Sequence, residues 1–348
     1  MEIGSEFEWQ EEYLNNIDNN FNMPYIENGI FTFSGRTSIE QVLKDISKKE
    51  RVLLPAYCCD SMIEPFRKAG LKIAFYDVSC KEGKFEVIID TQQLFQNDIF
   101  LLCNYFGFNI MYPESLIRRY QKHGGIVIED ITHSLFSSRQ YHEFSDYVVA
   151  SVRKWGPLLD GGYCSSKKSK LKKCEYEPDN SFLQKKKSAM VEKYEYLQGY
   201  DIDKSKFLTL FNLTNHMFSD SYSDTAMSEI SYDMFKRLPI QAIKEQRLKN
   251  AKVLYRELVD LKEIKFLFSI QDIDCPLFIP ILLDKKHRDN LRCYLINNNI
   301  YCPVHWPKSK DVTYCSIYDK ELSIVCDQRY REEDMIRIAN SIKKYFGY

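Results

Sequence analysis

Gly124 to Cys164 reads GGIVIEDITHSLFSSRQYHEFSDYVVASVRKWGPLLDGGYC, and two apolar runs inside it decide the fold. In the first, Gly124-Gly125 turns the chain into Ile126-Val127-Ile128, which ends in Glu129 and Asp130. An apolar run without alternation reads as a strand buried on both faces, as in a parallel sheet between helices. The carboxyl ends of such strands are where a doubly wound sheet presents functional groups. The second run, Tyr147 to Ala150, leads to Ser151-Val152-Arg153-Lys154, and Gly156-Pro157 then breaks the pattern. Two strands thus direct a carboxylate, Asp130, and an amine, Lys154, toward one sheet edge. An aldehyde carried on a pyridine ring uses that pair. The lysine condenses with the aldehyde, and the carboxylate keeps the ring nitrogen protonated so that the ring draws electrons. Taken singly, each residue is also what a helix cap or a solvated surface provides.

Upstream, Phe31 to Ser38 leads into Ile39-Glu40-Gln41-Val42-Leu43-Lys44-Asp45-Ile46, whose apolar spacing is helical. A Ser/Gly/Thr turn that opens a helix presents unpaired backbone N–H groups and the positive dipole end, which suits a phosphate. An ordinary N-cap by Thr37 or Ser38 has the same appearance. Strands are predicted at Arg51–Pro55, Lys72–Val78 and Ile99–Asn104, with helices opening after Pro55 and running from Leu116 to His123, so β and α alternate. Downstream, 166–210 is lysine-rich, with helical patterns around Tyr194, Tyr196 and Leu197. That basic stretch reads as a solvated face, with a polyanionic partner as the sharper alternative. Ala226 to Leu261 predicts one long helix. Strands return at 266–270 and 276–283, followed by helices at 285–297 and Glu332–Phe346.

A chain of 348 residues can bury a large core and divide into two domains. The expected division is an N-terminal arm (1–30), a large domain (31–240) with a lysine-rich helical insertion at about 166–220, and a small C-terminal domain (241–348). Net charge is −1, with 48 basic against 49 acidic residues, so no global field draws nucleic acid or a membrane surface. The eleven cysteines form no framework and their number is odd. Without a leader-like start or an apolar run of about 18 residues, they read as reduced thiols of a cytoplasmic protein. Cys58-Cys59 are adjacent and no Cys/His set has zinc spacing, so no metal is expected.

Ile128 to Ser134, IEDITHS, resembles the I-E-D-A-A-Q/H-A segment of the DegT-type sugar aminotransferases, which are pyridoxal-phosphate enzymes of fold type I. Ser151 to Gly162 is similar to their lysine segment, which runs on to Gly-Glu-Gly-Gly where this chain has Leu159-Asp160-Gly161-Gly162. The order of motifs matches over roughly residues 30 to 345. The resemblance implies an α/β fold type I transferase, with a mostly parallel sheet between helices in the large domain and an α+β small domain. It implies that Lys154 holds pyridoxal 5'-phosphate and that Asp130 pairs with its ring nitrogen. Gly35, Arg36 and Thr37 fall in the family's phosphate-binding Ser-Gly-Thr-x-Ala, with Arg36 where Thr is usual. Ser151 is either a phosphate ligand in S-x-x-K or a plain loop serine. The family's ring-stacking aromatic falls at Cys59, which cannot stack, so Tyr57 or His133 is expected to cover the ring. Asn104 and Tyr105 stand at the substrate edge, and His305 falls where a family histidine lines the substrate cleft, or is a core residue. Asp224 replaces an asparagine that reaches the neighbouring subunit's phosphate.

The implied activity is transfer of an amino group from an amino acid to a nucleotide-linked keto sugar, in surface-polysaccharide or secondary-metabolite synthesis, by a homodimer without nucleic-acid or membrane partners. The departures at Arg36, Cys59 and Asp224 keep a second reading open, a binding or regulatory protein that retains the fold. A pyridoxal-phosphate enzyme of another reaction type is the third. Its dehydratase relatives carry His in place of the lysine, whereas this chain has Lys154.

Overall fold

Strands form at the apolar runs predicted before Gly162, whereas the run at 266–270 yields only the two-residue strand Lys265–Phe266, with Ile270 opening a 3-10 turn. The computed structural model describes residues 2–15, 22–47, 49–81, 84–220, 222–312 and 315–348. After β1 (Ile3–Gly4) and β2 (Ile30–Thr32) come α1 (Gly35–Asp45), β3 (Arg51–Pro55), α2 (Asp60–Lys68), β4 (Lys72–Lys81) and β5 (Lys84–Ile88). Next are α3 (Thr91–Phe95), β6 (Ile99–Cys103), α4 (Glu114–Lys122), β7 (Ile126–Asp130), β8 (Tyr147–Ala150) and β9 (Gly162–Ser166). Eight of these strands form one sheet in the order β2-β9-β8-β7-β6-β3-β4-β5. The central members β4, β3, β6, β7 and β8 are parallel, and β2, β9 and β5 join antiparallel at the flanks. Ile128 and Val127 are fully buried, as a strand covered on both faces requires.

The register aligns the carboxyl ends: Cys103 of β6 opposes Asp130 of β7, which opposes Val149 of β8. α1 packs along β8 and β9, so its first turn lies at the same edge. Ser34 caps that turn by accepting the Thr37 N–H, and Ile39, Val42 and Leu43 bury the inward face. Gly162 allows the close approach of β9: a Cβ there would stand 2.3 Å from the Ser34 carbonyl oxygen.

The rest of the chain forms α5 (Asn180–Leu197), α6 (Lys204–Asp220), α7 (Glu229–Lys236), α8 (Ile240–Leu258), β10 (Lys265–Phe266), β11 (Ile279–Leu282), α9 (Lys285–Asn297), β12 (Ile300–Tyr301), β13 (Glu321–Ile324) and α10 (Glu332–Tyr345). β10, β11 and β13 make a second, antiparallel sheet. Three expectations are corrected. The helix predicted over 226–261 is two helices, because Pro239 supplies no N–H and disfavours helical geometry before it. The lysine-rich stretch is not uniformly solvated: Lys186 and Lys193 of α5 are buried, paired with Glu6 and Glu8. The N-terminal segment does more than lead into the sheet, since β1 pairs with β12 far along the chain. All eleven cysteines are unpaired. No described helix is long and apolar enough to cross a membrane.

Candidate active site

At the carboxyl edge of the large sheet lies a cavity. Of the residues singled out in the sequence, Gly35, Arg36, Cys59, Asn104, Asp130, His133, Ser151 and Lys154 line it. Thr37, Tyr57 and Tyr105 do not. Thr37 is buried with its hydroxyl on the Tyr222 carbonyl (2.7 Å). Tyr57 and Tyr105 stack on each other in the core (5.6 Å between centroids, 19° between planes), so His133 is the one of the two expected ring covers that faces the cavity. His305 lines a second, larger cavity, which shares Arg153 and Lys154 with the first.

Asp130 is fixed by the turn that follows β7, where its Oδ1 accepts the Thr132 N–H (2.8 Å). Thr132 also ties that turn to the lysine segment. Its Oγ1 accepts the Ser151 N–H (2.9 Å), and its carbonyl accepts the Trp155 indole N–H (2.7 Å). Lys154 therefore sits on a short 3-10 turn, Val152–Trp155, anchored at both ends to Thr132 in the turn that follows Asp130. Among the described residues Lys154 Nζ makes no hydrogen bond or ion pair. Burial lowers its pKa, against the pull of Cys59 and Asp130, which favours a neutral amine. Burial also raises the pKa of Asp130, while the Thr132 bonds and Lys154 act the other way.

His133 accepts the Phe106 N–H on Nδ1 (3.1 Å), so a neutral ring carries its proton on Nε2. Burial, with Lys154 and His305 nearby, holds it well below the usual imidazole range. It stacks on Trp306 (5.5 Å, 26°). Asn104 turns its amide nitrogen away from the cavity, to Glu129 Oε1 and Ser134 Oγ (both 2.8 Å). Glu129 is itself buried and accepts from His142 and Ser145. Cys59 Sγ lies 2.9 Å from Ser61 Oγ. Arg36 binds Glu64 and Ser219 (3.1 Å each). Asp224 lies away from the cavity, paired with Lys44 (3.0 Å).

Sequence reasoning missed Ser34, Thr132, Arg153, Phe218 and Trp306, which also line the cavity. Ser34 and Thr132 had a local signal, since each lies within two residues of a motif position. Arg153 and Trp306 had the same signal, lying beside Lys154 and His305, whereas Phe218 had none, because it arrives from a distant element.

The residues present fit pyridoxal phosphate. An amine without a partner and a buried carboxylate share one cavity with the first turn of α1, whose leading N–H groups have no partner within the helix. Gly35 keeps that turn close to Ser151, since a Cβ on it would lie 3.2 Å from the Ser151 Cβ.

No family model matches the sequence, and no curated protein does. Solved structures do match. One is Spr1654 of Streptococcus pneumoniae, assigned as a sugar aminotransferase and solved in its PLP form. It has a TM-score of 0.67 and 11% identity over 99% of this chain and 98% of that one. DesI, solved in the presence of its TDP-sugar product, has a TM-score of 0.64 and 14% identity over 91% and 80%. A DegT DnrJ EryC1 StrS aminotransferase from Brucella abortus has a TM-score of 0.62 and 15% identity over 97% and 88%. What is shared at these identities is the fold, that of the type I pyridoxal-phosphate aminotransferases.

Proposed function

We propose that this chain is a pyridoxal-phosphate-dependent aminotransferase that moves an amino group from an amino acid to a nucleotide-linked keto sugar. The observation that carries the reading is the meeting of Asp130 and Lys154 in one cavity at the carboxyl edge of a fold type I sheet. The fold likeness to sugar aminotransferases supports the substrate class. When bound, the cofactor supplies an electron sink that lets a proton leave the carbon bearing the amino group.

The chain's own residues supply the rest. Ser34, Gly35 and Ser151 would hold the phosphate, and Asp130 would hold the ring-nitrogen proton. His133 would cover the ring. Lys154 Nζ would hold the cofactor's aldehyde, and the same amine would accept and return a proton beside it. A lysine whose pKa is lowered by burial is suited to that second role, because a proton carrier must be neutral part of the time.

The proposal includes a homodimer, the commonest closed assembly, and the exposed Leu208 and Leu213 of α6 are apolar surface that a partner would cover. A monomeric mass at micromolar concentration with full activity would contradict that part. Unpaired cysteines throughout agree with a reducing, cytoplasmic setting. The test of the whole is borohydride reduction of the cofactor-treated protein followed by peptide mass mapping. The adduct is expected on Lys154; an adduct elsewhere, or none, sinks the assignment.

A further inference from the structure

We infer that Arg153 is the cation that binds the cofactor's phosphate. The inference rests on the reading of the cavity as a pyridoxal-phosphate site, and it starts from an imbalance of charge. Arg153 Nε is sealed from solvent and has no hydrogen-bond partner. Among the described residues the guanidinium makes no ion pair and no side-chain hydrogen bond at all. A guanidinium carries five N–H donors and cannot shed its charge, so sealing its Nε from solvent with no partner is costly unless something completes the site.

The neighbours sharpen this. Arg36 and Lys154, both cationic when protonated, lie within electrostatic reach of Arg153. Glu6 and Asp160 act on it as carboxylates, but Glu6 already pairs with Lys186 at 3.3 Å and Asp160 is held by the Ser228 N–H and hydroxyl. Among the described residues Asp130 is the one carboxylate that lines the cavity, against Arg36, Arg153 and Lys154, and neither it nor Glu6 nor Asp160 pairs with Arg153, which leaves room for an anion. Phe218 covers one face of the guanidinium, with its ring centroid 4.4 Å from Cζ. That packing orients the plane and leaves the donors along its edge, the arrangement that meets two phosphate oxygens at once.

The other lining groups select phosphate over carboxylate. Ser34, Gly35 and Ser151 share the cavity with Arg153, bringing two hydroxyls and the first turn of α1. A helix N-terminus, two hydroxyls and a planar fork suit the three terminal oxygens of a phosphate ester better than the two of a carboxylate. Arg36 is the arginine that the sequence places at this turn, but its terminal nitrogens are held by Glu64 and Ser219.

Two measurements on the full chain test the assignment. In the first, inorganic phosphate is titrated into cofactor-free protein. It is expected to raise the melting temperature of the wild type and of Arg153→Lys, and to leave Arg153→Gln unmoved. In the second, binding of pyridoxal phosphate and of pyridoxal is followed by absorbance. Arg153→Gln is expected to weaken pyridoxal phosphate by about 10- to 100-fold, the loss of one charged hydrogen-bonding partner, while pyridoxal changes by less than about threefold. Arg153→Lys keeps a point charge and should fall between. Equal losses for both ligands would make Arg153 a structural residue and overturn the inference. So would an unchanged preference for the phosphate ester, even with the adduct found on Lys154. If the wild type binds neither ligand, the functional reading itself falls, and the inference falls with it.

Discussion

Burial acts on Asp130 and Lys154 in opposite senses. It pulls the lysine toward a neutral amine and pushes the aspartate toward a neutral acid. The amine gains reactivity from this, whereas the carboxylate must stay charged to hold a ring proton, and the Thr132 N–H and hydroxyl favour the charged form. Asp130→Asn keeps the size and can still accept the Thr132 N–H, but it carries no charge. It is expected to retain cofactor and to lose about 10²-fold or more in the half-reaction with an amino-acid donor, read by stopped-flow absorbance. Near-normal rates would mean that another group holds the ring proton. Glu321, which lines neither cavity, offers a second test of burial. Burial raises its pKa to about 8 from an ordinary 4.5, outweighing the bonds it accepts from Ser323 and the His305 N–H. Because the folded pKa is the higher, its contribution to stability is present below about 4.5 and is lost as pH rises through about 8. Glu321→Gln imitates the protonated form at every pH. Its unfolding free energy relative to wild type should therefore climb between pH 5 and 9, and a flat difference across that range would refute the assignment.

Among the elements, the N-terminal strand and its flanking carboxylates form a clasp. β1 pairs with β12, Glu6 meets Lys186, and Glu8 meets both Lys193 (3.7 Å) and Arg329 (3.1 Å). Removing one member of a buried ionic set leaves its partners uncompensated. Glu8→Gln is expected to lower the unfolding free energy by about 3 kcal/mol in denaturant titration. A loss below about 1 kcal/mol, the worth of a surface pair, would show the clasp to be superficial. This clasp was not legible in the sequence, because an acidic opening and a lysine-rich stretch each look solvated until tertiary pairing brings them together. The central strands were legible, because burial on both faces writes itself as an unbroken apolar run, as at Ile126–Ile128 and Tyr147–Ala150. β13 was not: Glu-Leu-Ser-Ile is too short for a pattern, and it is a strand because it pairs with β11, Ile324 opposite Ile279. Asp130 and Lys154 were legible because strand ends position them. Arg153 was not, because its meaning lies in the absence of a partner, a property of the packed chain.

At the scale of the whole molecule, the two cavities meet at Arg153 and Lys154, and the larger is bounded by the clasp and by the C-terminal third of the chain. On the proposed reading, the smaller cavity holds the cofactor and the larger admits the sugar nucleotide. A diphosphate in the larger cavity needs cations with donors still free. Arg247 is committed to the Pro276 and Leu277 carbonyls and to Gln328, and Arg329 to Asp327 and Glu8. Arg292 differs: its Nε reaches the Cys302 carbonyl at 3.3 Å, and its two terminal nitrogens have no partner among the described residues. It is exposed on α9, so it can meet a ligand before the reacting carbon reaches Lys154. Such a contact is made equally in the ground state and the transition state, and its loss therefore appears in KM and leaves kcat in place. Arg292→Gln is expected to raise KM for a nucleotide-diphosphate-linked keto sugar about tenfold, the lower end for a charged hydrogen bond, with kcat within about twofold and KM for the amino-acid donor unchanged. Steady-state rates with each substrate varied in turn decide the matter. An unchanged KM for the sugar nucleotide would remove Arg292 from its path. A parallel rise in KM for the amino acid would mean that the larger cavity serves the donor.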